Sequence, residues 1–352
     1  MKILFFIEHF ENRGGAEKLA VSLCKQLYKR GYEIHVVCKD GEENNFAKLH
    51  KKFPYIRDAV KEIRPDITFD WGLFERADIS RLGGGIHEIF LKYSLISYPL
   101  YLRPIKWIYY KMWKHQKKIR HQRYVLQAEN TIYIAPSYFV KTQALQYGIE
   151  KERVRVIYNG IDIEEFSPAD HNYKLAQREK WGIKEDEVVF LFVAHNLRLK
   201  NISLLKRVFA QLSEKYPNIR LIVVGRKMPD LRGIPAIYTG VIKDMPEIYK
   251  IADVLVHPSY FDTFGTVVLE AMASGIPVIV SNLAGSSEIV EDGGVVLPVI
   301  GEDVEKLWKE ALEEMLEKEI RLSMGLKARN IAQKYSILSY TDKIEELIKE
   351  AK

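Results

Sequence analysis

Between Val254 and Val280 the chain reads VLVHPSYFDTFGTVVLEAMASGIPVIV, two short apolar strands flanking an apolar helix, and that order leaves few folds open. Runs as brief and as uniformly apolar as Val254 to His257 and Val278 to Val280 read as buried strands. Pro258 and Ser259 break the first one, Gly265 lets the backbone turn into the helix, and Gly275, Ile276 and Pro277 end that helix after about Ser274. Asp262 therefore falls in the loop at a strand's carboxyl end. Glu270 follows about two helical turns later. In open α/β sheets ligands bind at that edge, where helix N-termini offer N–H groups and positive dipole to phosphate.

The same strand, loop and helix pattern opens two halves of the chain. The first half runs Ile3 to Ile7, a loop from Glu8 to Gly15, a helix from Ala16 to Arg30 with the stripe Ala16, Leu19, Ala20, Leu23 and Leu27, then Gly31 and the strand Ile34 to Cys38. The second runs Val188 to Val193, a loop from Ala194 to Asn201, a helix to about Tyr216 and the strand Leu221 to Val224, ending at Gly225. This is a repeated architecture rather than a repeated sequence. At 352 residues the chain exceeds a single core and suggests two domains of about 150 to 180 residues each. Leu307 to Lys352 is helical in pattern almost throughout, with a bend at Tyr335-Ser336.

Composition excludes several classes. Apolar residues make up 47% and charged ones 28%, as in a soluble globular protein. The opening MKILFFIEHF has six apolar residues in its first seven but no cleavage site, so it reads as a first strand rather than a signal peptide. No segment reaches the roughly 18 apolar residues of a membrane span. Cys24 and Cys38 are spaced as small core residues, with no metal or redox motif, which fits a cytoplasmic location. Charge is uneven: residues 91–128 hold nine Lys or Arg and no Asp or Glu, so the other 44 basic residues face 47 acidic ones.

The string HPSYFDTFGTVVLEAMASGIPVIV, residues 257–280, resembles the signature of the retaining group 1 transferases, glycosyltransferase family 4. The resemblance implies a GT-B fold, an α/β class in which two Rossmann-like domains face each other across a cleft and the last helix returns to the first domain. It places an acceptor-binding domain at residues 1–167, with the helix 336–352, and a donor-binding domain at 168–335. VRVIYNGIDIEEFSP, residues 154–168, carries the family's string before the linker, which puts the hinge near 166–170. In the family the first acid approaches the donor sugar and the second bonds the ribose hydroxyls. Asp262 stands where Glu is commoner and reaches one methylene less. Phe264, Gly265 and Thr266 at the helix start, Glu270 and Gly225 are the implied donor-binding set.

Other motifs take meaning from that resemblance. Gly14-Gly15 is a tight turn or a glycine loop that lets backbone N–H groups approach the donor diphosphate; it is not the G-x-G-x-x-G fingerprint. Arg198 and Lys200 in AHNLRLKN are two solvated charges or the family's basic pair, cations that would stabilise the departing phosphate. His195 is a further polar candidate beside them. No D-x-D triplet occurs, and arginine and lysine take over the role of a cation, so neither a catalytic metal nor a cofactor is expected. His87 in RLGGGIHE either starts the helix near Glu88 or bonds the donor sugar or acceptor hydroxyl. Glu288, after Gly285, Ser286 and Ser287, reads as a helix-start residue. Val241 to Asp244 could meet uracil, guanine or adenine.

Residues 103–123, RPIKWIYYKMWKHQKKIRHQR, form a helix with the apolar row Ile105, Ile108, Tyr109, Met112 and Ile119. That row either packs on the core with a basic solvent face or meets an anionic membrane. No nucleic-acid motif accompanies the charge, and no nucleic-acid partner is expected. The reading that results is a metal-independent retaining glycosyltransferase. It would move a hexose from a nucleotide sugar to a glycan or lipid-linked acceptor, in the cytoplasm or at the inner face of the cell membrane. A GT-B sugar-nucleotide epimerase and an inactive nucleotide-sugar binding module are the alternatives.

Overall fold

A computed structural model describes residues 1–11 and 14–352. Asn12 and Arg13, in the expected loop from Glu8 to Gly15, lie outside the described residues. The chain divides into two compact units. One comprises Met1–Leu95, Pro99–Gly160 and Tyr335–Lys352, the other Ile96–Tyr98 and Ile161–Lys334.

The first unit contains strands β1 (Lys2–Phe6), β2 (His9–Phe10), β3 (Glu33–Val37), β4 (Asp40–Gly41), β5 (Lys48–His50), β6 (Ile67–Asp70), β7 (Ile79–Arg81), β8 (Ile132–Ala135) and β9 (Val154–Val156). Seven form one parallel sheet in the order β5-β3-β1-β6-β7-β8-β9, while β2 and β4 pair with each other. Its helices are α1 (Gly15–Lys29), α2 (Ile56–Ile63), α3 (His87–Ile96), α4 (Arg103–Tyr110), α5 (Trp113–Leu126) and α6 (Tyr138–Gln146). The apolar N-terminal run is β1, where Ile3 pairs with Ile34 on one side and Ile67 on the other. That central position explains why Ile3, Leu4, Phe5 and Phe6 are all fully buried. Helix α1 buries Leu19, Ala20, Leu23, Cys24 and Leu27; Ala16, expected in the stripe, is exposed in the first turn.

The second unit contains α7 (His171–Lys180), β10 (Val188–Val193), α8 (Ile202–Lys215), β11 (Ile219–Val224), β12 (Ala236–Gly240), α9 (Met245–Ile251), β13 (Val254–His257), α10 (Thr266–Ala273), β14 (Val278–Ser281), β15 (Gly294–Leu297), α11 (Val304–Glu314) and α12 (Lys318–Gln333). Its sheet is also wholly parallel, in the order β12-β11-β10-β13-β14-β15. In each sheet the unit's first strand lies inside, with the strand order reversing on either side of it. This is the doubly wound arrangement whose crevice opens where the order reverses. The helix expected after Gly285 is a short 3-10 turn, Gly285–Ile289, and Glu288 on it is exposed.

The helical tail is three helices, the last being α13 (Ile337–Glu350). Ser336 caps it, its Oγ accepting from Ser339 N at 3.1 Å, which accounts for the bend expected there. Ile337, Tyr340, Ile344, Leu347 and Ile348 share one core with Leu19, Leu23 and Leu27 of α1. Arg30 adds bonds of 2.6 Å to both Asp342 and Glu345. The first unit's segment Pro99–Gly160 gives way to the second unit at Ile161, ahead of the hinge expected near 166–170. The reason lies in Arg329, whose Nη1 donates to the carbonyls of Ile163 at 3.0 Å, Phe166 at 2.7 Å and Ala273 at 2.5 Å. Phe166 is buried, edge-on to Tyr249, so the segment after Gly160 is fastened within the second unit.

Residues 103–123 do not form one core-packed helix. The chain breaks at Lys111 and Met112, where Met112 is extended, and no residue of α4 is buried. Of the expected row only Ile119 is buried; Ile105, Ile108, Tyr109 and Met112 are exposed.

Gly160 packs so closely on α13 that an added Cβ would stand 2.6 Å from Tyr340 Cβ and 3.1 Å from Ile337 Cα. Gly160→Ala should therefore lower stability by about 1–3 kcal/mol in urea unfolding, as overpacking does. An unchanged midpoint would show that α13 shifts without cost.

Candidate functional site

The crevice of the second sheet lies between the carboxyl ends of β10 and β13, neighbours in the ladder and the point where the strand order reverses. From β10 the chain runs through Ala194 to Asn201. Asn201 adopts the left-handed conformation and caps α8, its side chain accepting from Leu204 N. From β13 it runs through Pro258 to Gly265. The two loops are tied by Tyr260 N donating to Leu199 O at 2.9 Å.

That tie brings Lys200 and Asp262 together, and Lys200 Nζ donates to Asp262 Oδ2. His257 Nε2 lies 3.1 Å from the same oxygen; because an ionised carboxylate only accepts, this nitrogen carries the proton. The Asp262 backbone is held too, its N–H donating to Leu283 O at 3.1 Å and its carbonyl accepting from Gly285 N at 3.0 Å. Burial works against the Asp262 charge, yet Lys200 and the His257 N–H outweigh it and hold the carboxyl well below the usual carboxylate range. Burial, and then the Lys200 charge, push the His257 imidazole below its ordinary value, so it is neutral. Gly265 makes this possible. Its φ is +88°, and an added Cβ would lie 3.0 Å from Asp262 Oδ2 and 3.2 Å from His257 Nε2.

Gly265 is also the N-cap of α10, so the helix's positive end opens beside Asp262. Thr266 is its first residue. The Phe264 ring is buried and its carbonyl accepts from Ser286 N at 2.7 Å. Glu270, nearly buried, accepts from the Tyr249 hydroxyl at 2.7 Å. Gly225 ends β11 so close to β10 that an added Cβ would lie 2.0 Å from the Ala194 carbonyl oxygen. Next to it His195 is exposed. Arg198 Cζ stands 3.5 Å from the centroid of the Tyr98 ring, and its guanidinium donates to Ser97.

The other three expected residues belong to the first unit. Gly14, at φ +101°, precedes α1 and Gly15 is that helix's first residue. His87 is the first residue of α3, its N–H donating to Gln122 Oε1 at 2.7 Å and its Nε2 lying 3.0 Å from His115 Nδ1. Burial, with Lys118 and His115 nearby, pushes the His87 imidazole down to about 4. Sequence reasoning missed His257 and Tyr249 as site residues. His257 had a legible signal, a polar residue ending an apolar strand at the ligand edge; Tyr249 comes from a separate helix and had none. Among the described residues no group of three or more His, Cys, Asp or Glu side chains is placed to hold a metal ion.

Two family models match the chain, one described as glycosyl transferases group 1 over residues 174–336 and one as glycosyltransferase family 4 over residues 13–165. The chain belongs to the group 1, family 4 glycosyltransferases. Relatives within reach by sequence include D-inositol 3-phosphate glycosyltransferases of Kribbella flavida, 34% identical over 45% of this chain and 42% of that protein, and of Corynebacterium kroppenstedtii, 28% identical over 58% and 50%. The chain thus spans about half the length of these relatives it matches. Among solved structures, WaaG, a glycosyltransferase involved in lipopolysaccharide biosynthesis, superposes with a TM-score of 0.82 at 19% identity over 98% of this chain and 99% of that one. HepE of Anabaena in complex with UDP gives 0.75 at 19% identity over 99% and 100%. These neighbours establish the GT-B fold for this family member.

Replacing Lys200 by Met leaves Asp262 and His257 facing each other without the lysine. The His257 pKa should then rise, as followed by the pH titration of its ring protons in NMR. Stability at neutral pH should fall by about 1–3 kcal/mol. Because the Asp262 carboxyl is depressed in the folded state, its contribution is present above the unfolded value and lost as pH falls through the folded one. The gap between wild type and K200M should accordingly close in acid. A His257 titration unmoved by the substitution would contradict the contact.

Proposed function

We propose that this protein is a retaining glycosyltransferase that moves a hexose from a nucleoside diphosphate sugar to a glycan or lipid-linked sugar acceptor without a metal ion. The observation that carries the reading is the Lys200–Asp262 pair at the strand-order reversal, beside the N-terminus of α10. It joins a cation suited to diphosphate with a carboxylate suited to sugar hydroxyls. HepE, a fold neighbour, was solved with UDP and with UDP-glucose, which supports a nucleotide sugar as donor.

In this reading the donor diphosphate lies at the first turn of α10, with Lys200 and Arg198 facing the charge that builds on the leaving β-phosphate. Asp262 meets the sugar and Glu270, steadied by Tyr249, meets the ribose. Gly225 leaves room for the nucleotide, and His195 is a further polar contact near the phosphates. Gly14 and Gly15 are to offer backbone N–H groups to the diphosphate, and His87 is to bond the donor sugar or position the acceptor hydroxyl; its lowered basicity keeps that imidazole neutral. Without a second nucleophile, transfer follows a front-face route. The bond from C1 to the phosphate oxygen breaks, the acceptor oxygen bonds C1 on the same face, and the acceptor proton passes to the leaving phosphate. Two buried free cysteines and the basic stretch 91–128 support a cytoplasmic enzyme working at the inner face of the cell membrane. No helix among the described residues is long and apolar enough to cross a membrane.

The deciding experiment is a thermal-shift and nucleotide-release panel of UDP-, GDP- and ADP-sugars with chelator present. One donor should stabilise the wild type and be turned over, and Glu270→Ala should lose both responses. Lys200→Met should lower turnover roughly 10²- to 10³-fold. Binding without turnover would indicate an inactive module, product without acceptor an epimerase, and loss of turnover with chelator a metal requirement. His87→Ala should cut transfer sharply while nucleotide binding stays intact.

A further inference from the structure

One arginine of the first unit is buried without a carboxylate. Arg81 is the last residue of β7, at the carboxyl edge of the sheet, and only 3% of it is exposed. Its guanidinium donates to Asn159 Oδ1 at 2.7 Å, and its Cζ stands 4.7 Å from the centroid of the Trp71 ring. Among the described residues no acidic side chain forms an ion pair with it. Asp70, at the end of the neighbouring strand, is level with Ser80 and so faces the other side of the sheet, where it accepts from the N–H groups of Gly72 and Phe74. Taking a charge out of water costs free energy that an amide oxygen and a ring offset only in part. Stability alone therefore does not account for an arginine here.

Three glycine turns meet this side chain. An added Cβ on Gly83 would lie 1.8 Å from Arg81 Nη1 and 2.9 Å from its Cζ, and the third nearest atom is Arg81 Nη2. Gly83 is not one of the left-handed glycines, so it is the guanidinium, and not the backbone, that requires a glycine there. That residue opens the loop to His87, the first residue of α3. On the other side, Trp71 Nε1 donates to the carbonyl of Ala16 at 3.2 Å, one residue after Gly14-Gly15. Asn159 belongs to the turn at Asn159-Gly160, and Gly160 packs against Tyr340 of α13. Burial pushes the Tyr340 hydroxyl pKa up, and the Arg81 charge works against that rise.

We propose that Arg81 is a positioning residue of the transfer reaction: it sets the Gly14-Gly15 turn through Trp71 and the approach to His87 through Gly83. The inference rests on the roles proposed above for Gly14, Gly15 and His87. Arginine suits the task because a planar guanidinium stacks on an indole while its edge donates to an amide and fills the space beside a glycine. A lysine ammonium keeps the charge and loses that geometry.

The test uses the full-length protein, and Gly83→Ala is its central variant. The atom that the new methyl strikes is the far end of a flexible side chain, so this variant should fold and melt like wild type while the guanidinium is driven aside. In a proton–nitrogen NMR spectrum the Trp71 indole N–H, assigned by its absence from Trp71→Phe, should move in Gly83→Ala and in Arg81→Met. That measurement needs no sugar donor, so it stands or falls apart from the transferase reading. With the donor that wild type turns over, kcat should drop roughly tenfold or more in both variants, as displaced reacting groups require. Arg81→Lys should not restore it. The double variant should be no slower than Arg81→Met, because both changes act through one guanidinium. An indole resonance unmoved in Gly83→Ala, wild-type kcat in either single variant, or losses that multiply in the double one would overturn the positioning role. So would transfer losses that merely follow a lower melting temperature, which would make Arg81 a structural residue.

Discussion

Parallel strand pairing is the constraint on which everything else in this molecule depends. A strand that runs parallel to its neighbour must be reached by a crossover, so every loop that follows a strand gathers at one edge of the sheet. In the second unit that rule delivers Ala194 to Asn201 from β10 and Pro258 to Gly265 from β13 to adjacent positions. Lys200 and Asp262, 62 residues apart, meet for this reason alone. The same edge carries the start of α10, so a lysine, a carboxylate and a helix's positive end converge without any element built specially to hold them.

What keeps that convergence stable is a division of labour among charges. A carboxylate removed from water costs free energy unless it is paired and hydrogen-bonded, and Asp262 has a cation and an imidazole N–H on one oxygen. The lysine that sustains the carboxylate also keeps His257 neutral. The two glycines at this edge matter through space as much as through conformation. Gly225 and Gly265 stand where a side chain would strike, respectively, the Ala194 carbonyl and the Asp262 carboxylate.

The legible parts of the chain are those governed by local pattern. Strand β10 falls where its apolar run was read, because a strand buried on both faces has no polar residue to blur its limits, and β13 takes in only His257 beyond its own. The places of Asp262 in the loop after β13 and of Glu270 on the helix after Gly265 were readable because spacing around a glycine-started helix is a short-range property. The boundary of the compact units was not legible, since Arg329, more than 160 residues away in sequence, fastens Ile163 and Phe166 within the second unit. The row from Ile105 to Met112 was misleading for a similar reason. Periodicity shows that one face of a helix is apolar, and it cannot show whether anything covers that face.

From the sequence alone come the class of fold, the limits of its central strands, the family's donor motif and the concentration of positive charge in one stretch, because each is written in neighbours along the chain. Tertiary structure alone decided that Lys200 is spent on Asp262, that His257 and Tyr249 support the two acids, that His115 meets His87, and that α4 stands in solvent. Those outcomes depend on which distant segments the parallel crossovers and the core bring within a few ångströms, and no local pattern encodes that distance.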